Sequence, residues 1–340
     1  MAAIEGTGVT YEDLAEMEKQ FDDAETEISK LRPERRDGKS MREARSRSTT
    51  TAIKSLENAV LHSAIPRIET NQHAVRQQYI LTKPIYEKRS ALVSKIENFW
   101  PLVFEQAPQE IDQFIQPSDM EALAHLRNVV VDNFEIVDGK IVDGGDPRSM
   151  SLTMEFGPND FFTNTKLEKK FWYRRAVDGW CGLVSAPVKI DWKEGKDLTE
   201  GLLDLSCKLY EAEQSGKGLE KAQEALEKKI ESTGMGGVSF FNFFGFIGRR
   251  VSAADSAAAN EREKKIRAGG KVDDVVISEE QEDREDKEAM LEIFPDGDDL
   301  AIAIGEDLWP SAIKYFSEEP HGDDCQDGCC GGDESEEDDE

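Results

Sequence analysis

The sequence predicts an α+β fold: long helices at the N-terminus, then a four-stranded antiparallel sheet packed on helices, then an acidic tail without fixed structure. Three observations carry this reading. A heptad stripe opens the chain, four strand-like segments succeed one another in its middle, and its acid lies at its end. With 38% hydrophobic residues among 340, the chain can bury a real core. Its formal charge of -29 is uneven. Residues 273–340 hold 27 Asp and Glu against 3 Lys and Arg, whereas residues 1–272 hold 44 against 39. A dense acidic end on a nearly balanced body repels nucleic acid and anionic lipid and attracts basic partners.

The first helix is read over residues 11–31. Leu14, Met17, Phe21, Ala24, Ile28 and Leu31 follow one another at spacings of 3, 4, 3, 4 and 3, a heptad seam with charged residues between. Such a stripe must be buried, either on the chain's own body or on a second copy. Residues 32–66 break the pattern, bracketed by Pro33, Gly38 and Pro66, and positions 32–54 hold 8 bases to 3 acids. A loop or weak helix is expected there. Helical spacing returns with Leu81, Ile85, Leu92, Ile96 and Phe99, and Pro84 should kink that helix or begin a new one. A short helix around 118–128 would open on Ser118 as N-cap with Glu121 three residues on.

The strand-like segments are "NVVVDNFEIVDG", "SMSLTMEFG", "LEKKFWYRRAVDG" and "LVSAPVKIDWKEG", each rich in β-branched or aromatic residues and ending near Gly or Asp. In the last, Val188, Ile190 and Trp192 alternate with Lys189, Asp191 and Lys193, one face buried and one wet. Helical sequence resumes with Leu202, Leu205 and Leu209 on one face, then a charged amphipathic helix stopped by Gly234. Five phenylalanines follow within seven positions, Phe240, Phe241, Phe243, Phe244 and Phe246, and a Phe run is core more often than site. A low-complexity charged stretch at 248–290 and a last apolar piece, "DDLAIAIGEDLWPSAIKYF", complete the ordered part. Residues 317–340 are expected to be disordered.

No catalytic pattern is present. His62, His73, His125 and His321 are scattered, and the sequence holds no GxSxG, HExxH or GxGxxG. The "GKS" at Gly38 to Ser40 lacks the earlier glycine of a phosphate loop, where Pro33 stands. His321, Cys325, Cys329 and Cys330 resemble a soft-metal set without the CxxC pairs of a structural zinc site. The basic groups Arg249, Arg250, Arg262, Lys264, Lys265, Arg267 and Lys271 have no aromatic platform for bases and read as an import signal or a solvated surface. No window reaches the roughly 18 apolar residues of a bilayer span, and the N-terminus lacks a signal-peptide pattern. The expectation is an intracellular protein, nuclear with shuttling to the cytoplasm, with no enzyme activity, cofactor, metal, membrane contact or small-molecule substrate.

"LTKPIYEKRSALVSKIENFWP", "LEKKFWYRRAVDGWCGLVSAPVKIDWKEGKDLT", "GVSFFNFF" and "IFPDGDDLAIAIGEDLWPSAIKYF" together resemble the nucleosome assembly protein family, in particular its SET-type branch in fungi. The resemblance implies a homodimer joined by long N-terminal helices, each copy carrying an "earmuff" domain whose acidic underside binds core histones. It divides the chain into dimerisation-helix parts at 1–35 and 77–100 around an atypical basic insertion at 36–76, an earmuff at 101–246, a flexible charged insertion at 247–290, closing helices at 291–316 and a tail at 317–340. The implied dimerisation residues are Leu14, Met17, Phe21, Ile28, Leu31, Leu81, Ile85, Leu92 and Ile96. The implied histone-facing residues are Asp197, Thr199, Glu200 and Asp204, then Asp296, Asp298, Asp299, Glu306 and Asp307. Tail residues Glu334, Glu336, Glu337, Asp338, Asp339 and Glu340 complete the set. SET-like relatives are also associated with phosphatase inhibition and with masking histones from acetyltransferases, which makes a phosphatase or acetyltransferase a second kind of expected partner. In this picture the Phe cluster is a short helical plug beneath the sheet.

Overall fold

The computed structural model describes residues 4, 7–31, 50–233, 239–270, 272 and 278–317, with the backbone alone for 30–31 and 50–71. Helix α1, Tyr11–Leu31, forms where the heptad stripe predicts it. Thr10 opens it, taking the Asp13 amide on its hydroxyl while the Asp13 carboxylate accepts from the Thr10 amide at 2.8 Å. Much of the described stripe is buried within the chain. Leu14, Met17 and Ile28 are buried, and the Phe21 ring lies 4.8 Å from that of Tyr86 on the next helix.

That next helix, α2, runs unbroken from Thr50–Val93. Of the two readings for 32–66, loop or weak helix, the described residues 50–66 take the helical one, residues 32–49 lie outside the described part, and no new helix begins at Pro84. A proline deprives a helix of one amide and crowds the carbonyl four residues back. Here Pro84 and Ile80 are both exposed, on a side where water can take the freed carbonyl. The chain leaves α2 at Val93, earlier than the spacing to Phe99 implies, and turns at Asn98 (φ 57°) into α3, Phe99–Glu105. Helices α4, Gln109–Asp112, and α5, Pro117–Leu123, follow. The N-cap of α5 is Gln116 rather than Ser118, because Asp119 reaches back to the Gln116 amide at 2.9 Å and Pro117 fits the first turn.

Six strands follow: β1, Leu126–Asp132; β2, Ile136–Val137; β3, Lys140–Ile141; β4, Met150–Phe156; β5, Lys166–Arg175; and β6, Cys181–Ser185. The order β1-β4-β5-β6, antiparallel throughout, is the predicted four-stranded sheet, and β2 with β3 make a small hairpin between its first two strands. The fourth strand is shorter than expected. It ends at Ser185, and beyond Pro187 only an isolated bridge joins Phe162 to Trp192. Ile190 is buried and Lys189, Asp191 and Lys193 are exposed, so the predicted alternation of burial survives without a ladder.

Register places Met150, Leu152 and Met154 of β4 beside Phe171, Lys169 and Leu167 of β5, one apolar face with a lysine at its centre. The Phe cluster lies against that face as a 3-10 turn over Phe240–Gly245, and all five rings are buried. Helices α6, Leu202–Ser215, and α7, Leu219–Thr233, form a hairpin whose Leu202, Leu209 and Leu226 pack with Leu291 and Ile293 as a second small core. The stop at Gly234 lies outside the described residues. The stretch 247–290, expected to be a flexible insertion, holds two helices in its described part: α8, Ala253–Arg267, and α9, Glu279–Met290. Ser252 and Ser278 cap them, and the Ser256 hydroxyl accepts from the Arg175 amide at the end of β5. Alanine-rich, charge-paired sequence reads as low complexity, but it is also good helix former. Helix α10, Gly297–Ala303, passes through a π-helical turn at Ile304–Leu308 to α11, Ala312–Ser317.

Candidate functional site

The plug organises the surface around it. Three buried ionisable side chains from three elements hold its backbone. Asp119 of α5 accepts from the Ser239 hydroxyl and, at 2.8 Å, from the Phe240 amide. Lys169 of β5 donates to the carbonyls of Ala186, Phe244 and Phe246 at 3.0, 3.1 and 2.8 Å. Glu292 accepts from the amides of Ile247 and Gly248 at 3.0 and 2.9 Å. Burial raises the carboxyls of Asp119 and Glu292 and pulls the Lys169 amine down to about 7. Sequence reasoning missed all three. The available signal was Lys169 itself, a lysine in phase with Leu167 and Phe171 on an apolar face.

Two of the acidic groups singled out in the sequence flank the exit of this plug. On one side is the entry to α6. Asp197 accepts from the Thr199 amide and hydroxyl at 2.8 and 2.6 Å and from the Gly201 amide at 2.8 Å, so this carboxylate builds the turn. Thr199 is buried. Glu200 (φ 52°) is exposed, 4.0 Å from Lys229, and Asp204 is exposed and paired with Lys208 at 2.5 Å. Leu203 and Ile293 close on Gly245, and the Ser206 hydroxyl donates to the Gly245 carbonyl at 2.9 Å, which fixes α6 to the plug.

On the other side is the start of α10. Gly297 abuts the Phe246 ring so closely that a Cβ there would run into it. Asp296, Asp298 and Asp299 surround that glycine and have no cation partner among the described residues. Burial first, then the charges of Asp299 and Asp296, push the Asp298 carboxyl above the usual carboxylate range. Glu306 and Asp307 stand apart on the π-helical turn, whose Gly305 lies against Met150, and Asp307 accepts from the Tyr315 hydroxyl at 3.1 Å. The six tail candidates, Glu334 to Glu340, and the His321 to Cys330 set lie outside the described residues.

Helix α9 adds acid beside the same exit. Arg249 spans Asp178 and Glu285 at 2.8 Å each, and Arg250 lies 3.4 Å from Glu213. The first-turn carboxylates Glu279, Glu280 and Glu282 remain on a helix with no buried residue.

Of the nine dimerisation candidates, Leu14, Met17, Ile28 and Ile96 are buried and Phe21, Leu81, Ile85 and Leu92 half-buried within the single chain. The Leu31 side chain lies outside the described part. Among the described residues no group of His, Cys, Asp and Glu is placed to hold a metal ion, and no helix is long and apolar enough to cross a membrane.

The family model described as nucleosome assembly protein (NAP) matches residues 9–319. The chain is similar to NAP1-related protein 2 of Arabidopsis thaliana, 26% identical over 251 residues, which covers 74% of this chain and 69% of the relative. It is similar to Protein SET of Drosophila melanogaster, 34% identical over 134 residues, covering 38% of this chain and 45% of the relative. Among solved structures it is similar to Vps75 at 22% identity and a TM-score of 0.47, covering 78% of this chain and 97% of that one. With the match running through helices, sheet, plug and closing helices alike, the chain belongs to the nucleosome assembly protein family.

Proposed function

We propose that this protein is a histone chaperone that works as a homodimer and holds core histones on the acidic surface around the plug. The observation that carries the reading is the group Asp296, Asp298 and Asp299, three carboxylates without cation partners on the rigid rim of the plug. A solvated helix face is ordinarily laced with lysines. Here burial first, and then the neighbouring like charges, raise one member, and a bound polycation offsets that crowding. Histones otherwise collapse onto DNA with a strong salt-dependent driving force. A protein that occupies the same basic surfaces slows that collapse without chemistry.

Two anionic rims tethered in one particle raise effective concentration, and α2 supports such pairing. Its 44 residues span about 66 Å. Helix α1 has 21 residues and covers the C-terminal half, while the sequence of the other half spaces Ile53, Leu56, Val60, Ala64 and Ile68 at helical intervals. The test is a fluorescence titration of labelled H2A–H2B and H3–H4 against the full chain and against the triple variant Asp296→Asn, Asp298→Asn, Asp299→Asn. At least a tenfold loss of affinity for one pair, with an unchanged melting temperature, is expected. Equal affinity removes this rim from the reading.

A further inference from the structure

A glycine opens α10 for a reason the backbone does not supply. Gly297 is not among the residues at positive φ, and within a helix glycine is less favourable than alanine by up to about 1 kcal/mol. What the position excludes is a side chain. A Cβ there would lie 2.3, 2.5 and 2.6 Å from Cγ, Cδ2 and Cβ of Phe246, where ordinary contact begins at 3.4 Å. In a close-packed interior any larger residue at 297 must displace either the Phe246 ring or the first turn of α10, by about 1 Å.

The ring is the member that stays. It is 3% exposed and stacked on Phe171 with the ring centroids 6.2 Å apart. The backbone on both sides of it is tied down. Lys169 donates to the Phe246 carbonyl at 2.8 Å, the Phe246 amide donates to the Phe243 carbonyl at 3.1 Å, and Glu292 accepts from the Ile247 amide at 3.0 Å. The first turn of α10 is held by less. Asp296 stands at the N-cap without a side-chain capping bond, and Pro295, Asp296 and Asp299 are exposed. A side chain at 297 therefore lifts the turn, and the carboxylates go with it.

We propose that Gly297 is a positioning residue for the capture of a basic partner: its bare Cα seats the first turn of α10 on Phe246 and so holds Asp296, Asp298 and Asp299 at one fixed spacing. The inference rests on the histone reading above and deepens it, from which carboxylates meet the partner to what holds them ready. The support is continuous. Lys169 fixes the Phe246 backbone, the Phe246 ring meets Gly297, and Gly297 lies between Asp296 and Asp298. Carboxylates fixed before the partner arrives lose less freedom when it binds.

The experiment titrates labelled H2A–H2B and H3–H4 with the full chain, with Gly297→Ala, and with Phe246→Leu, which loosens the same contact from the other side, from about 50 to 300 mM salt. Gly297→Ala should bind one pair about three- to fivefold more weakly, a smaller loss than for the Asp296→Asn, Asp298→Asn, Asp299→Asn variant because every charge remains. For the same reason its affinity should fall with salt at the wild-type slope, whereas the Asn substitutions flatten that slope. A carbon-13 NMR titration of the Asp298 carboxyl, assigned with Asp298→Asn, reads the rim without any histone. Burial, Asp299 and Asp296 hold that carboxyl above the usual range, and it should fall towards that range in Gly297→Ala as the turn lifts. If the wild type binds a pair but Gly297→Ala binds it equally well, or if Asp298 does not move, the inference falls and the histone reading stands. A wild type that binds neither pair overturns both. Should Gly297→Ala fail to fold, Phe246→Leu decides by the same two measurements, with weaker binding and a lowered Asp298 expected.

Discussion

Lys169 is a fully buried ammonium whose three donors meet three carbonyls, so its charge is matched by dipoles without a carboxylate partner. Burial still wins, and the amine falls to about 7 from an ordinary value near 10.5. Below about pH 7 both folded and unfolded chains are protonated there and the folded chain bears the full penalty. As pH rises from about 7 to about 10.5 the folded chain releases the proton while the unfolded chain keeps it, so stability increases, by at most about 1.4 kcal/mol per pH unit. Glu292 acts at the other end of the scale. Its raised carboxyl contributes stability that is present at low pH and lost as pH climbs through its folded value. Urea unfolding of the wild type and of Lys169→Met at pH 7 and pH 9.5 isolates the lysine. The wild type should gain relative to the variant between the two pH values; parallel behaviour would mean that Lys169 is charged in both states throughout.

At the scale of elements, one side chain joins the long helix to the body. Arg89 of α2 is buried, with its guanidinium 4.8 Å from the Tyr86 ring, 4.7 Å from Trp309 and 5.8 Å from both Phe21 and Trp100. It donates to the carbonyls of Trp309 and Pro310, where the π-helical turn releases them, and so ties α1, α2, α3 and the C-terminal helices. Burial lowers it to about 10, which leaves it charged at neutral pH. Arg89→Lys keeps the charge but loses the planar fork and the stacking, and should cost about 1–3 kcal/mol in thermal unfolding. A loss within error would show that packing alone holds the joint. Such joints explain what could be read from the sequence. The sheet and its order were legible, because alternating β-branched residues specify burial locally, and the Phe run was legible as core, while its place beneath the sheet was implied by the family resemblance. The C-terminal part of α2 was legible from Leu81, Ile85 and Leu92, but its continuity back to Thr50 was not, because two prolines and basic Ser/Thr-rich sequence argue against it residue by residue while a 44-residue element outweighs them. Nor were α8 and α9, whose composition alone does not separate a docked helix from a linker. Among the candidate residues, Asp197 and Thr199 proved to build a turn, a distinction that charge and spacing do not carry.

At the scale of the whole molecule, two acidic sources compete to explain the histone capture proposed above. The stretch 318–340 holds 12 Asp and Glu and no Lys or Arg, while the rim around the plug holds fewer carboxylates on fixed backbone. Their physics differs. A dense run of like charge acts mainly through long-range attraction, which raises the association rate and is screened over about 8 Å at physiological ionic strength. Under the proposed function, carboxylates on the rim would act at contact and slow dissociation. Removal of residues 318–340 should therefore lower the association rate with a core histone pair severalfold and flatten its dependence on salt, with little change in the dissociation rate. The Asp296, Asp298 and Asp299 to Asn variant should do the reverse. Stopped-flow association and competition-dissociation measurements from about 50 to 300 mM salt separate the two. A peptide of residues 318–340 that binds histones as tightly as the whole chain would reduce the folded body to a carrier, and the division of labour between tail and rim would then be wrong.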